Sequence, residues 1–139
     1  MPRSARHRFA EHTGEVRLEL AAPSCEELFA EAGRALAELM LGEVPGPGAS
    51  APARAVEVHA RDRAALLVGW LNELIYLSET SKEVFTRLEV ERVDETGVWA
   101  RVAGVAPEVL KTAVKAATLH GVSVERSAGG WRASVVLDV

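Results

Sequence analysis

The chain has a single cysteine and no excess of positive charge. Cys25 has no second cysteine with which to form an internal disulfide or a paired-cysteine metal site. The 16 Lys and Arg residues against 20 Asp and Glu residues give a formal net charge of -4. Stand-alone nucleic-acid binders usually carry a basic excess or a basic stripe, because they must neutralise phosphates. A role in nucleic-acid chemistry would therefore run through another protein.

Long apolar segments and common enzyme motifs are also absent from the sequence. No apolar run approaches the ~20 residues that span a bilayer. The basic residues 1–8 are not followed by the apolar segment of a secretory signal, so we expect a cytoplasmic protein without a membrane partner. The sequence has no G-x-S-x-G, no H-E-x-x-H and no glycine-rich loop before a helix. These absences favour a protein that is not an enzyme.

The composition is that of a folded protein. The chain has 139 residues, of which 48% are hydrophobic and 26% are charged. This length fits one domain with one hydrophobic core, so we expect a single domain over residues 1–139. The Pro- and Gly-rich residues 42–53 are too few to separate two domains, and we interpret them as an internal loop.

Hydrophobic periodicity predicts the order of the helices and strands. Residues 15–20 alternate between charged and apolar, which indicates a strand with its carboxylates on the open face. Ser24 and Glu27 form a capping box at the start of a helix over 24–41, and Asp62 begins a second helix that ends near Ser81. The remaining strands are expected at 54–61, 84–93, 97–105, 121–127 and 131–137, with an extended segment at 111–119. We expect an α+β fold with two layers, in which two helices pack on one face of a largely antiparallel six-stranded sheet.

Three carboxylates stand out at the ends of the first and last predicted strands. Alternation places Glu15 and Asp138 on the open side of the sheet, and the α-carboxylate of Val139 follows directly. If these two strands are neighbours, the three groups converge. Clusters of oxygen ligands favour hard cations such as Ca²⁺, Mg²⁺ or Mn²⁺. The alternative is a solvated acidic end of the chain, which is the commoner situation for charged residues.

Other candidate residues have weaker signals. His12 and His120 are either ligands or proton carriers, or histidines with a structural role. Cys25 lies in the first turn of a helix, but no residue near it in sequence pairs with it as a nucleophile site. Asn72 and Glu73 share a side of the second helix that is either a partner surface or simply the solvated face.

Four motifs, in this order and at these distances, resemble the archease family. The resemblance extends from about residue 7 to the end of the chain. The motifs are Glu11-His12-Thr13, the block Trp70-Leu71-Asn72-Glu73-Leu74-Ile75-Tyr76, the stretch Val114-Lys115-Ala116-Ala117-Thr118-Leu119-His120, and the ending Trp131-Arg132-Ala133-Ser134-Val135-Val136-Leu137-Asp138-Val139.

The resemblance implies a non-enzymatic accessory protein. Archeases activate the metal-dependent RNA ligase of tRNA splicing and RNA repair, speed guanylylation of the ligase histidine and allow multiple turnover. The ligase is thus the expected protein partner, and RNA is reached only through it. The family binds a divalent ion through acidic residues, which correspond here to Glu15, Asp138 and Val139. His12, Lys115, His120, Asn72 and Glu73 would support this acidic end or contact the partner.

The sequence departs from the family pattern in two places. The family usually has E-H-T-A-D at the first motif, whereas this chain has Gly14 and Glu15 after the threonine. The extra methylene of Glu moves the carboxylate by about 1.5 Å, and Gly14 offers the backbone freedom to accommodate it. Relatives often carry a basic pair where this chain has Pro107 and Glu108, so Lys111 or Lys115 would take that place.

Two other functions compete with ligase activation. A general chaperone or modulator of nucleic-acid-processing proteins would need an exposed apolar surface, for which Trp99 and the run Val135-Val136-Leu137 are the candidates. A small hydrolase using the carboxylates as acid and base would need a substrate pocket, for which the sequence offers no signal.

Overall fold

A computed structural model of the chain describes residues 5–46 and 53–139, so residues 47–52 of the expected loop lie outside the described residues. The described part contains two helices and seven strands. In chain order these are β1 (Arg6–His12), β2 (Glu15–Ala22), α1 (Cys25–Leu41), β3 (Arg54–His59), α2 (Arg63–Ser81), β4 (Val84–Val93), β5 (Gly97–Val105), β6 (Ala116–Ser127) and β7 (Gly130–Asp138).

The strands form two antiparallel sheets. One sheet has four strands in the order β1-β2-β7-β6, and the other has three in the order β3-β5-β4. The α+β class is therefore confirmed, whereas the expectation of a single six-stranded sheet is wrong. β7 returns to pair with β2, while β3 joins the later hairpin of β4 and β5. The additional strand β1 was not predicted, because its sequence RHRFAEH has almost no apolar alternation.

β6 also differs from the expectation. An extended segment at 111–119 and a separate strand at 121–127 were predicted, but the structure has one strand from Ala116 to Ser127. Its pairing with β7 shifts register between Thr118 and Ser123, where Gly121 has a φ of 73°. A bulge of this kind bends one strand without ending it, which explains why the sequence pattern looked interrupted.

The ends of both helices form as the sequence indicates. The Ser24 hydroxyl accepts a hydrogen bond from the Glu27 N–H at 3.1 Å, and the Asp62 carboxylate accepts from the Ala65 N–H at 2.8 Å. Gly42 ends α1 with a φ of 82° and donates its N–H to the Glu38 carbonyl. Each of these contacts satisfies a backbone group that the helix itself leaves unpaired.

Both helices contact both sheets. α1 packs against β2 and β4, and α2 packs against β6 and β3, so the helices do not lie on one face of one sheet as expected. Trp70 is fully buried and donates its indole N–H to the Phe29 carbonyl at 2.9 Å, which joins the two helices. Among the described residues, no helix combines the length and apolarity needed to cross a membrane.

Candidate functional site

The acidic ends of β2 and β7 lie side by side. Glu15 is directly opposite Asp138, and the N–H of Val139 donates to the carbonyl of Gly14 at 3.1 Å. Hydrogen-bonded and non-hydrogen-bonded pairs alternate along antiparallel strands, so the bond between the Gly14 and Val139 positions makes Glu15 and Asp138 a non-hydrogen-bonded pair. In such pairs the side chains approach most closely, with Cβ atoms about 4.5–5.5 Å apart.

Both carboxylates belong to the face of the sheet that points away from the core. The next pair along the strands, Val16 and Leu137, is buried at 3% and 0% exposure. Because successive side chains alternate between faces, Glu15 and Asp138 project on the opposite side. Glu15 is exposed and Asp138 is half-buried. The strands that carry them are neighbours, which was the condition for the carboxylates to meet.

His12 extends this pair across a third strand. It lies opposite Glu15 in the pairing of β1 with β2, and only Thr13 and Gly14 connect the two strands. Gly14 has a φ of 76°, a conformation that glycine adopts without steric cost. His12, Glu15 and Asp138 therefore form one cross-strand row, here called the tip row, at one end of the four-stranded sheet.

The donor chemistry of the tip row fits a hard divalent cation. The side-chain carboxylates of Glu15 and Asp138 offer only oxygen atoms, the ligands that calcium, magnesium and manganese prefer. In residues 5–46 and 53–139 no group of three or more His, Cys, Asp or Glu side chains is arranged to hold a metal ion. A cation here would therefore need Val139, water or a partner protein to complete its ligands.

Lys115 lies beside the tip row, whereas His120 lies farther along β6. The Lys115 N–H donates to the Asp138 carbonyl at 2.8 Å, and the residue is exposed, so this lysine lies beside the row. His120 is also exposed but lies in the bulge of β6, between the residues that pair with Val136 and Ser134. The structure therefore brings Lys115 to the acidic end and leaves His120 farther along the edge strand.

Asn72 has an internal role that the sequence did not reveal. Its Nδ2 donates to the Ala117 carbonyl at 3.1 Å, and its Oδ1 accepts from the Ala117 N–H at 2.8 Å. The amide thus joins α2 to the edge strand β6. Glu73 is half-buried and Tyr76 is 60% exposed. The side of α2 that carries these residues is therefore solvated only in part.

The apolar run expected to form an exposed surface is buried. Val135, Val136 and Leu137 are exposed by 0%, 5% and 0%. Trp99 is half-buried, and the Arg92 guanidinium lies 4.0 Å from the centroid of its ring. The apolar surface predicted from these residues is therefore wrong. In the described part of the chain, the exposed large apolar side chains are Val44, Tyr76, Val109, Leu110 and Leu119.

Cys25 does not have the surroundings of a nucleophile. It is buried at 6% exposure, and this burial raises the pKa of its thiol despite the opposing effect of the Arg63 charge. The reactive form of cysteine is the thiolate, which burial disfavours. Cys25 therefore acts as a small apolar residue in the core.

A charged cluster that sequence reasoning missed lies on the other side of the sheet from the tip row. His7 Nδ1 is 2.6 Å from Glu31 Oε2, and His7 Nε2 is 3.1 Å from Glu38 Oε1. Arg34 also bonds Glu31, at 3.0 Å. The cluster joins β1 to α1. Its only signal in the sequence is that Glu31 falls on the side of α1 that carries the apolar residues.

Comparisons with known proteins give a consistent result. The model of the archease protein family (MTH1598/TM1083) matches residues 7–139. The chain is 33% identical to the protein archease of Methanopyrus kandleri, over 93% of this chain and 96% of that one. It is 32% identical to the protein archease of Archaeoglobus fulgidus, over 96% of this chain and 99% of that one.

Solved structures agree with the sequence comparisons. The solution structure of Methanobacterium thermoautotrophicum protein 1598 has a TM-score of 0.73 and 26% identity, covering 96% of this chain and 98% of that one. An archease from Thermotoga maritima, described as a possible chaperone, shares the fold with a TM-score of 0.63 and 22% identity, over 96% and 98% of the two chains. From the family match along nearly its whole length, the chain belongs to the archease family.

Proposed function

We propose that this chain is a non-enzymatic accessory protein that activates a metal-dependent RNA ligase of tRNA splicing and RNA repair. It would promote guanylylation of the ligase histidine and allow multiple turnover. Membership of the archease family supports the proposal, and the register that sets Glu15 opposite Asp138 is the observation that carries it. An acidic, exposed end suits a partner whose active site is basic because it binds RNA.

The tip row would dock at the mouth of the ligase active site. Glu15, Asp138 and the Val139 carboxylate would hold one divalent cation there. When bound, such an ion supplies positive charge where phosphoryl charge develops. The hairpin of β1 and β2 fixes the backbone of Glu15, and the pairing of β7 with β2 fixes that of Asp138, so the two strand positions that carry the carboxylates are set before docking. Lys115 beside Asp138 would contact the phosphates or an acidic group of the ligase.

The test is RNA ligation by the cognate ligase with substrate in excess, with and without a trace of this protein. We expect the trace to raise the product from about one turnover per ligase to many. Asp138→Asn should abolish that increase and leave the fold intact, because a partly exposed Asp at a strand end contributes little to stability. Glu91→Gln, which removes an exposed carboxylate from the other sheet, is the matched control.

Two results would contradict the proposal. Full activation by Asp138→Asn would show that the Asp138 carboxylate of the tip row is not needed to activate the ligase. No activation by the folded wild-type protein, with an active ligase, would favour the second candidate, a general chaperone or modulator of nucleic-acid-processing proteins.

The second candidate has its own observation and test. Val109 is 80% exposed and Leu110 is 39% exposed, beside a cavity of about 420 Å³ with a mainly apolar lining. Exposed apolar residues of this kind can hold unfolded segments of other proteins. A chaperone of this type should suppress the aggregation of unrelated proteins without added metal, and Val109→Ser with Leu110→Ser should remove the effect.

A further inference from the structure

The open face of the four-stranded sheet contains a second polar site, distinct from the tip row. It is an open concavity of about 600 Å³ at the end of the sheet where β2 and β1 meet the start of β7. The small side chains Ala21 and Ser134 lie on its floor, and the long side chains of Arg6, Arg8 and Arg132 line it. Short residues between long cationic ones leave a hollow with positive charge at its margin.

Arg6 and Arg132 face each other across this hollow. Each lies opposite Ala21, Arg6 on β1 and Arg132 on β7, so their backbones are two strand spacings or about 10 Å apart. Both residues are exposed, and within residues 5–46 and 53–139 neither guanidinium makes a hydrogen bond or an ion pair. Two unpaired guanidinium groups at this separation can both donate to one phosphate, whose oxygens match the fork of arginine.

The other polar groups of the concavity suit the remainder of a nucleotide. Glu19 already forms an ion pair with Arg8, so it does not compete for Arg6 and Arg132. Glu125 lies opposite Arg132 on β6 without forming an ion pair among the described residues, and the hydroxyls of Ser123 and Ser134 lie nearby. Carboxylate and hydroxyl groups accept hydrogen bonds from ribose hydroxyls and base amines. A cavity of about 600 Å³ is also larger than an isolated phosphate needs.

We propose that this concavity binds a nucleoside phosphate, with the phosphate held between Arg6 and Arg132. The phosphate belongs either to a free nucleotide or to an RNA strand. The site is separate from the tip row, since Arg132 and Asp138 are six residues apart on β7, or about 20 Å. It therefore does not depend on the proposed ligase activation.

The test is an NMR titration of the full chain, observing the backbone amides of Ala21, Arg132 and Ser134. The probes are adenosine 5′-monophosphate, a hexauridylate RNA, inorganic phosphate and adenosine. We expect the nucleotide or the RNA to shift these amides, phosphate alone to bind more weakly, and adenosine not to bind. Tighter binding of the RNA would assign the phosphate to a strand, and tighter binding of the mononucleotide would assign it to a free ligand.

Variants make the proposal falsifiable. The double variant Arg6→Gln with Arg132→Gln should weaken binding at least about tenfold, and Arg6→Lys with Arg132→Lys should weaken it less, because lysine keeps the charge but loses the fork. Arg101→Gln, an exposed arginine on the other sheet, is the matched control and should bind as the wild type does. The proposal is overturned if neither the nucleotide nor the RNA shifts these amides at about 10 mM. It is also overturned if adenosine binds as well as its phosphate, or if the folded double variant binds normally.

Discussion

The side-chain amide of Asn72 pairs with the backbone of Ala117 as a neighbouring strand would. One hydrogen bond runs in each direction, at 3.1 Å from the Asn72 amide and at 2.8 Å from the Ala117 N–H. β6 is an edge strand of its sheet, so these backbone groups have no neighbouring strand with which to pair. Covering an edge in this way also blocks pairing with another chain.

Replacing Asn72 with leucine should destabilise the protein. The change leaves the N–H and the carbonyl of Ala117 without partners, and each unsatisfied buried group costs about 1–3 kcal/mol. Ala117 is 5% exposed, so water would not easily replace the lost bonds. Urea unfolding at neutral pH measures the free energy of unfolding. Glu73→Gln is the control and should change it by less than about 0.5 kcal/mol. An Asn72→Leu variant as stable as the wild type would show that the pair contributes nothing.

Replacing His7 with alanine should also lower the free energy of unfolding, by about 1–3 kcal/mol. Glu31 is only 7% exposed and, among residues 5–46 and 53–139, would keep Arg34 as its one remaining ionic partner, while Glu38 would lose the imidazole. Arg8, on the same strand as His7, forms an ion pair with Glu19 on β2. Arg8→Ala removes that pair, but at 74% side-chain exposure of the arginine the pair contributes less than about 1 kcal/mol. Equal losses in the two variants, measured by urea unfolding, would contradict this ranking.

Variants of Glu15 test whether its carboxylate takes part in the proposed activation of the ligase. Glu15→Asp retains the charge and shortens the side chain by one methylene, so we expect it to retain the proposed activation of the ligase. Glu15→Gln retains the size and removes the charge, so we expect it to lose most of the activation. Calorimetric titration with Ca²⁺ and Mn²⁺ should show the same order of affinity. A Gln variant that activates fully would exclude Glu15 as a ligand.

The thiol of Cys25 gives a prediction for pH. Burial raises its pKa in the folded state, so between the unfolded and folded pKa values the native protein keeps a proton that the unfolded chain has lost. Stability from this group is present below the unfolded pKa, about 8.5, and falls as the pH rises through this interval. Urea unfolding at pH 7 and at pH 9.5 should show a loss for the wild type that is smaller in Cys25→Ala. An equal loss in both would assign it to other groups.

A second measurement on Cys25 uses its reactivity. A thiol reagent such as dithionitrobenzoate should react slowly with the native protein and rapidly in urea, because the thiol is buried and the thiolate is disfavoured. Rapid reaction of the native protein would show that the core around Cys25 opens readily.

Local signals in the sequence predicted local structure well. The Ser24 capping box, the Asp62 cap and the stop at Gly42 each depend on residues within one helical turn, so their contacts could be read from the order of residues alone. The alternation of residues 15–20 gave the correct face for Glu15 for the same reason. β1 was missed because its pairing with β2, rather than its own pattern, makes it a strand.

Contacts between segments that are distant in the chain could not be predicted from these local patterns. Alternation indicated that Asp138 shares a face with Glu15, but only the antiparallel register of β2 and β7 sets them directly opposite each other. The same applies to Val135, Val136 and Leu137, which looked like a surface run. Val135 and Leu137 belong to the core, and Val136 on the other face is paired with Arg17 on β2 and Thr118 on β6.

The sequence by itself determined the α+β class, the helix ends, the carboxylates at the acidic end and the resemblance to the archease family. Each of these depends on residue type and on short spacings. Only the tertiary structure decided that the strands divide into two sheets, that Asn72 closes the edge of β6, and that Arg6 and Arg132 flank Ala21. The physical reason is that strand partners are chosen by packing and hydrogen bonding between segments far apart in the chain, whereas a local pattern gives only the face on which each side chain lies.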